Sequence, residues 1–207
     1  MKKITLLVLL LFCGSMFAQK KKATPKAAAN EVVAKSGNAS VEFVKNNMYL
    51  FVANAGKKDT LLLKKYTVKG TPVDCKITSF TTKGTPMYFV TWAEKSVTET
   101  KLKKEETTVT ESQIWNPATK TLMIGNTQTA TKIKETVFLD KLKNASETQE
   151  RMRNSGFAFT FLPDGDFMLK DKSSDTKYSL NTASMKYEAA KAKAAATPPP
   201  PAKKKKR

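Results

Sequence analysis

The residue types that usually carry catalysis are scarce in this sequence. Its 207 residues include no histidine, and the only cysteines are Cys13 and Cys75. Because histidine is the commonest general base and the usual partner of a catalytic serine or cysteine, its absence argues against these mechanisms and against most zinc sites. The glycines form neither a phosphate-binding loop nor a dinucleotide-binding motif. We therefore predict no catalytic, cofactor-binding or metal-binding residues and a protein that is not an enzyme.

Acidic residues occur in two arrangements that could still do chemistry. Glu105 and Glu106 are adjacent, so in a strand they lie on opposite faces and do not converge as a glycosidase pair. Asp164 and Asp166 could offer oxygen ligands to calcium, but the rest of an EF-hand loop is missing and aspartates are common in tight turns. We interpret the first pair as solvated charges beside neighbouring lysines and the second as turn residues. An enzyme using carboxylate or lysine chemistry remains an alternative.

The excess positive charge is concentrated near the two ends of the chain. The formal net charge is +19, yet residues 30–183 contribute only +6. Residues 1–18, 19–29 and 184–207 contribute +2, +4 and +7. The last two of these segments are rich in lysine and alanine, contain proline and lack apolar periodicity, which predicts disordered basic tails on either side of one folded region.

The lysine runs of these tails could contact anionic surfaces. Such runs bind acidic headgroups or phosphates through charge alone and without reading a sequence. The alternative, a solvated tail that only maintains solubility, is equally open. We predict a weak, non-specific contact with an anionic envelope surface, and no specific nucleic-acid recognition, because most aromatic residues lie in apolar runs. The predicted contact residues are Lys20, Lys21, Lys22, Lys203, Lys204, Lys205, Lys206 and Arg207.

Residues 1–18 have the layout of a secretory signal peptide. Two lysines precede the apolar run Ile4–Phe12, and Ala18 places a small residue before Gln19. The apolar run is shorter than the roughly 20 residues that a membrane-spanning helix needs. We expect a bacterial protein exported to the periplasm, the outer cell surface or the medium, without a transmembrane span.

The roles of the two cysteines depend on this processing. Lipoprotein processing at Cys13 would require a small residue directly before it, and Phe12 is bulky, so we expect signal cleavage and not lipidation. Removal of Cys13 leaves Cys75 alone in an oxidising compartment, which excludes an internal disulfide. We interpret Cys75 as a buried, inert residue, and a reactive thiol is the alternative.

The region 30–183 reads as one domain of short β-rich runs separated by turn residues. This pattern predicts a mainly β fold, an antiparallel meander of about ten short strands that forms a sandwich or a partly closed barrel. The predicted strands are 40–44, 48–52, 61–68, 75–82, 87–93, 96–102, 105–115, 121–126, 131–139, 157–162, 167–170 and 177–180.

One segment, 146–154, is predicted to be a short helix. Ser146 and Gln149 have the spacing of a capping box, and Gly156 suits a left-handed helix exit. We expect Met152 to pack inward from this helix. The expected aromatic core residues are Phe43, Phe51, Phe80, Phe89, Trp92, Phe138, Phe157, Phe159 and Phe161.

The segment FAFTFLPDGDFML, residues 157–169, resembles the aromatic hairpins of small lipocalin-like exported barrels. That resemblance implies a carrier of a small apolar ligand, but the glycine-tryptophan opening motif of lipocalins is absent, so the family is not assigned. We predict a non-enzymatic exported protein, a binding or structural module of the periplasm or cell envelope whose further partner is a protein or a small apolar ligand. The lipocalin-like carrier is the first alternative.

Overall fold

The computed structural model describes residues 31–54, 56–67 and 72–190. Within these residues the chain forms thirteen strands and no helix, and every strand pair is antiparallel. The predicted mainly β, antiparallel meander is therefore confirmed. The strands lie in three separate sheets, and the described residues form no closed barrel.

The strands follow one another through the three sheets in chain order. The N-terminal sheet contains β1 (Glu31–Ser36), β2 (Ala39–Val44), β3 (Asn47–Asn54) and β4 (Lys57–Lys65). The central sheet contains β5 (Val73–Thr82), β6 (Thr85–Glu99), β7 (Lys103–Asn116), β8 (Thr121–Phe138) and β9 (Ser146–Ser155). The C-terminal sheet contains β10 (Ala158–Phe161), β11 (Phe167–Lys170), β12 (Asp175–Asn181) and β13 (Lys186–Ala189).

The central sheet is covered on both faces near the start of β6. Tyr88, Val90 and Trp92 pack into an apolar cluster with the N-terminal sheet, whereas Met87 and Phe89 pack into a second cluster with the C-terminal sheet. Side chains of a strand alternate between its faces, so a strand buried on both sides requires a nearly continuous apolar run, here Met87–Ala93 interrupted only by Thr91. These three layers form the body of the protein.

The long strands of the central sheet extend past this body as a single layer, which we call the distal sheet. It consists of Lys95–Glu99 of β6, Lys103–Thr108 of β7, Ala130–Phe138 of β8 and all of β9, which pair in that order. Neither apolar cluster contains a residue of this sheet. All ten residues of β9 are exposed. Threonines and opposite charges across the strands take the place of a core.

The predicted helix at 146–154 is wrong, because this segment forms β9. Its residues pair along β8 from Thr129 to Phe138, and no apolar stripe offers a helix anything to bury. The expected inward packing of Met152 is also wrong, since its side chain is exposed. Gly156 has a φ of 78° and turns the chain from β9 into β10, where a Cβ would overlap the Thr127 carbonyl oxygen.

Other boundaries also differ from the sequence-based prediction. The strands predicted at 87–93 and 96–102 are parts of β6, and those predicted at 121–126 and 131–139 are parts of β8. The strand β13 lies in the segment assigned to the C-terminal tail and pairs with β12. The signal peptide and the linker 19–29 lie outside the described residues, as does the tail from residue 191 onward.

Most of the expected aromatic core residues are confirmed. Phe43, Phe51 and Trp92 are buried, and Phe80, Phe89, Phe159 and Phe161 are half-buried against the second cluster. Phe138 is half-buried but lies in the distal sheet and in neither cluster. Phe157 precedes β10 and is exposed, so its assignment to the core is wrong. Phe161 lies 4.8 Å from both Phe80 and Phe89 between ring centroids. The aromatic hairpin therefore packs onto the central sheet instead of lining a cavity.

Candidate functional site

The densest group of ionisable side chains lies where the N-terminal sheet meets the central sheet. The Lys64 Nζ atom of β4 lies 2.8 Å from Glu94 Oε1 of β6 and 3.3 Å from Glu111 Oε1 of β7. Both carboxylates sit just beyond the apolar part of the interface, where the strand alternation that buries Trp92 also directs Glu94 toward β4. We call these residues, with Trp92 and Tyr66, the Lys64 cluster.

Further hydrogen bonds complete the Lys64 cluster. The Tyr66 hydroxyl donates to Glu94 Oε1 at 2.6 Å, and Trp92 Nε1 donates to the same oxygen at 3.2 Å. The hydroxyl of Thr127 donates to Glu111 Oε2 at 2.8 Å. Among the described residues, no buried side-chain nitrogen or oxygen lacks a hydrogen-bond partner. The donors of this cluster are thus directed at groups of the protein itself.

Burial, hydrogen bonds and ion pairs shift the pKa values of three groups in the Lys64 cluster. Burial raises the pKa of Glu94, but the hydrogen bonds from Lys64, Tyr66 and Trp92 outweigh it and the net pKa is lowered. Burial lowers the pKa of Lys64, but Glu94 and Glu111 together raise it above its ordinary value. Burial and the Glu94 carboxylate raise the pKa of Tyr66. The pKa values of Lys64, Glu94 and Tyr66 are thus each shifted away from neutral pH, where a general acid or base would act.

Cys75, the one cysteine among the described residues, is half-buried against the N-terminal apolar cluster. Burial raises the pKa of its thiol to about 11. The reactive form of a cysteine is the thiolate, which such a pKa disfavours near neutral pH. The environment therefore supports the interpretation of Cys75 as an inert residue.

One face of the distal sheet presents three lysines close together, and we call it the lysine face. Lys104 lies directly opposite Lys134 in the register of β7 and β8. Lys132 Nζ and Lys134 Nζ each lie 3.5 Å from a carboxylate oxygen of Glu150. Lys104 Nζ lies 2.8 Å from Glu106 Oε1. These five residues line a shallow cavity of about 210 Å³.

Opposite charges alternate on the lysine face. Lysines directly opposite each other in neighbouring strands repel, which makes the Lys104–Lys134 register unfavourable unless a negative charge lies nearby. Glu106 and Glu150 line the cavity together with the three lysines, and Glu99 lies directly opposite Lys104 in the register of β6 and β7. The side chains of Lys104, Lys132 and Lys134 are 41%, 54% and 58% exposed, so their ammonium groups can reach an anionic surface.

A second cavity, of about 480 Å³, lies between the end of β9 and the β11–β12 turn. Its lining includes Lys170, Asp171 and Lys172. Lys170 Nζ lies 3.2 Å from Asp175 Oδ2. The Asp171 carboxylate accepts the backbone N–H groups of Ser173 and Ser174, both at 2.7 Å. The Lys170 ammonium and the Asp171 carboxylate thus already have partners within the β11–β12 hairpin.

The acidic pairs singled out in the sequence are each paired with lysines. Glu105 lies on the opposite face of β7 from Glu106, as predicted, and its Oε1 atom lies 2.8 Å from Lys103 Nζ. Asp164 and Asp166 share Lys177, whose Nζ lies 3.1 Å and 2.9 Å from their carboxylate oxygens. The described residues contain no group of three or more acidic, cysteine or histidine residues that could hold a metal ion.

The predicted contact residues of the tails lie outside the described residues. They are Lys20, Lys21, Lys22, Lys203, Lys204, Lys205, Lys206 and Arg207. The Lys64 cluster was missed because its members are separated by up to 47 residues in the chain. The lysine face had a signal in the sequence, since Lys132 and Lys134 have the two-residue spacing of one strand face.

Comparison with protein-family models, with curated proteins and with solved structures finds no match to this chain. The part of the chain described here has no helix with the length and apolar character needed to cross a bilayer.

Proposed function

We propose that this chain is a non-enzymatic, exported binding or structural module of the bacterial periplasm or cell envelope. In this proposal the distal sheet and the lysine-rich tails contact an anionic surface. The observation that carries it is the lysine face, which presents Lys104, Lys132 and Lys134 on a sheet that neither apolar cluster reaches.

The absence of distal-sheet residues from both apolar clusters supports a contact role. Ordering a residue costs about 1–2 kcal/mol of backbone conformational entropy, and in most sheets the burial of an apolar face offsets this cost. The ten residues of β9 are exposed and offset little of it in this way. A sheet held together by backbone hydrogen bonds and cross-strand pairs keeps a large surface accessible. Such a surface is better suited to binding a partner than to stabilising the fold.

The geometry gives less support to the two alternatives, an apolar-ligand carrier and an enzyme. A carrier of the lipocalin kind needs a sheet closed around a cavity, and the described strands form three open sheets. An enzyme using lysine or carboxylate chemistry would be expected at the Lys64 cluster. There the Lys64 ammonium is held by Glu94 and Glu111, and none of these three residues lines either cavity described above.

The test is association of the chain from Gln19 to Arg207 with isolated bacterial envelopes at low and high salt. We expect association at low salt that weakens at high salt, because surface charges are screened. Replacing Lys132 and Lys134 by glutamine should weaken association by about fivefold for each lysine that contacts the surface. Deletion of residues 197–207 should also weaken it.

The matched control is Lys35→Gln with Lys57→Gln, two exposed lysines of the N-terminal sheet. This variant removes the same charge and should bind as the parent chain does. Association that is equal at both salt concentrations, and equal in the lysine-face variant and the tail deletion, would contradict the proposal.

A further inference from the structure

Four large apolar side chains are exposed at the end of the distal sheet that lies away from the body. Leu142 is 80% exposed, Leu139 62%, Val97 60% and Leu102 46%. They lie on or beside the β6–β7 turn at Thr100–Leu102 and the β8–β9 loop at 139–145. The backbone N–H of Thr136 donates to the Leu102 carbonyl at 2.7 Å, which holds the end of the turn against β8. We call this end of the sheet the tip.

The loop at the tip holds its leucines outward through its own hydrogen bonds. The backbone N–H of Leu139 donates to the Ala145 carbonyl at 2.9 Å and closes the loop. The Asp140 carboxylate accepts a hydrogen bond from the backbone N–H of Asn144 at 2.8 Å. The backbone carbonyl of Asp140 accepts one from the backbone N–H of Lys143 at 3.3 Å. Leu142 lies at the apex of this ordered turn. Polar residues are the usual choice at such positions. Four exposed apolar side chains at one end of a sheet are the kind of grouping that marks an interaction site.

Lysines surround these apolar side chains. Lys101, Lys141 and Lys143 lie in the turn and the loop, against the single acidic residue Asp140. Next to the turn, Lys103 Nζ lies 2.8 Å from Glu105 Oε1, and Glu99 lies opposite Lys104. Asp140 is already engaged by the loop backbone. Lys143 Nζ lies 5.5 Å from the ring centroid of Phe138, so its ammonium stands beside the apolar patch. The tip is thus apolar at its apex and positively charged around it.

We propose that the tip docks on a lipid bilayer that carries acidic headgroups. Leu139 and Leu142 enter the boundary between headgroups and acyl chains, while Lys141 and Lys143 contact the phosphates above it. Long lysine side chains suit this arrangement, because their methylenes lie along apolar surface while the ammonium stays in water. This inference rests on the proposed function and names its anionic surface as a bilayer.

The charge of the tip favours this occupant over a second copy of the chain. Two tips brought together would each carry the same excess of positive charge and would repel. An acidic bilayer supplies both features that the tip lacks, an apolar phase for the leucines and negative charge for the lysines. The apolar side chains also lie on a projecting end, which can reach a flat surface without a groove.

The first test is co-sedimentation of the chain from Gln19 to Arg207 with vesicles of phosphatidylcholine alone or mixed with phosphatidylglycerol. We expect binding to the mixed vesicles only. The variant Leu139→Ser with Leu142→Ser should bind about tenfold or more weakly, because it loses both apolar insertions. The variant Lys141→Glu with Lys143→Glu should lose the preference for the acidic vesicles.

Matched controls separate the tip from a general effect of polarity or charge. Val32→Ser with Leu122→Ser replaces two exposed apolar residues away from the tip, one on β1 and one near the start of β8. Lys35→Glu with Lys57→Glu changes the net charge as much as the tip variant does. Both controls should bind as the parent chain does.

The second test places a tryptophan at the apex. Trp92 and Trp115 are buried. A change in the fluorescence of a Leu142→Trp variant on addition of vesicles therefore reports on the tryptophan at the tip. We expect a blue shift and quenching by lipids with brominated acyl chains, since the indole would enter an apolar phase. An unshifted spectrum in the presence of bound vesicles would overturn the inference.

The outcomes distinguish this inference from the proposed function. If the leucine variant binds acidic vesicles as the parent chain does, while the lysine-face variant or the tail deletion weakens binding to envelopes, the tip inference fails and the proposed function stands. If the parent chain binds neither acidic vesicles nor envelopes, both fail. If only the leucine variant loses binding, the tip and not the tails makes the contact.

Discussion

The two halves of β6 lie in contrasting environments although they belong to one strand. Met87–Ala93 is covered by the N-terminal sheet on one face and by the C-terminal sheet on the other. Lys95–Glu99 is exposed at all five residues. The first half is an apolar run, and the second is polar apart from Val97. A strand that begins in a packed body can therefore continue without a core, held by pairing to β7 alone.

This contrast predicts that the body and the distal sheet respond differently to substitutions. In the body, a deleted side chain leaves a cavity between packed layers that cannot close. In the distal sheet, long polar side chains can move into the vacated space. We expect the difference to show in substitutions at Trp92 in the body and at Val97 and Ile133 in the distal sheet. A further substitution, at Glu94, addresses the Lys64 cluster.

The largest effect is expected for Trp92→Ala. Trp92 is 1% exposed, and its loss should lower the free energy of unfolding by about 3–5 kcal/mol, measured by denaturant titration. Val97→Ala, on the same strand in the distal sheet, is the control and should cost less than about 0.5 kcal/mol. Equal costs for the two variants would contradict the division into body and distal sheet.

A smaller effect is expected for Ile133→Ala, at the most deeply buried apolar residue of the distal sheet. Ile133 is 2% exposed and lies opposite Glu105 on β7 and Arg151 on β9. We expect a loss of about 2 kcal/mol, at the low end for buried aliphatic residues, because these flexible neighbours can close the space. A loss as large as that for Trp92→Ala would show that the distal sheet is as rigid as the body.

The smallest of the three effects is expected for Glu94→Gln, and it should depend on pH. The pKa of Glu94 is lowered in the folded protein from its ordinary value of 4.5, so the carboxylate stabilises the fold above that value, and this contribution is lost as the pH falls through the folded pKa. We expect a cost of about 1–2 kcal/mol at neutral pH that vanishes in acid. A cost independent of pH, in urea titrations of parent and variant, would contradict this account.

Local patterns in the sequence predicted the hairpins of the body well. The break between the strands predicted at 40–44 and 48–52 coincides with the β2–β3 turn at Lys45 and Asn46. Asp164 and Asp166, interpreted as turn residues, lie in the β10–β11 turn, because such residues act through their own backbone. The same local reasoning failed at β9. Ser146 and Gln149 do form a capping-box pattern, but pairing with β8 along the whole segment outweighs a weak helical preference.

The candidate sites were harder to predict for a physical reason. The Lys64 cluster brings together three strands, and nothing near Lys64 in the sequence indicates that Glu94 and Glu111 will meet it. The tip presented the opposite difficulty. Leu139 looked like the end of a strand, and only the loop geometry shows that it and Leu142 remain exposed. Registers between strands and the direction of loop side chains are properties of the assembled sheets.

The order of the strands has a consequence for how the chain folds. Each strand pairs only with its neighbours in the sequence, within all three sheets. Loops between paired strands are short, so little entropy is lost in closing them, and folding should be fast for an all-β protein. Each strand finds its partner as soon as the next one is available. A chain that emerges N-terminus first can therefore form its N-terminal sheet before the rest has appeared.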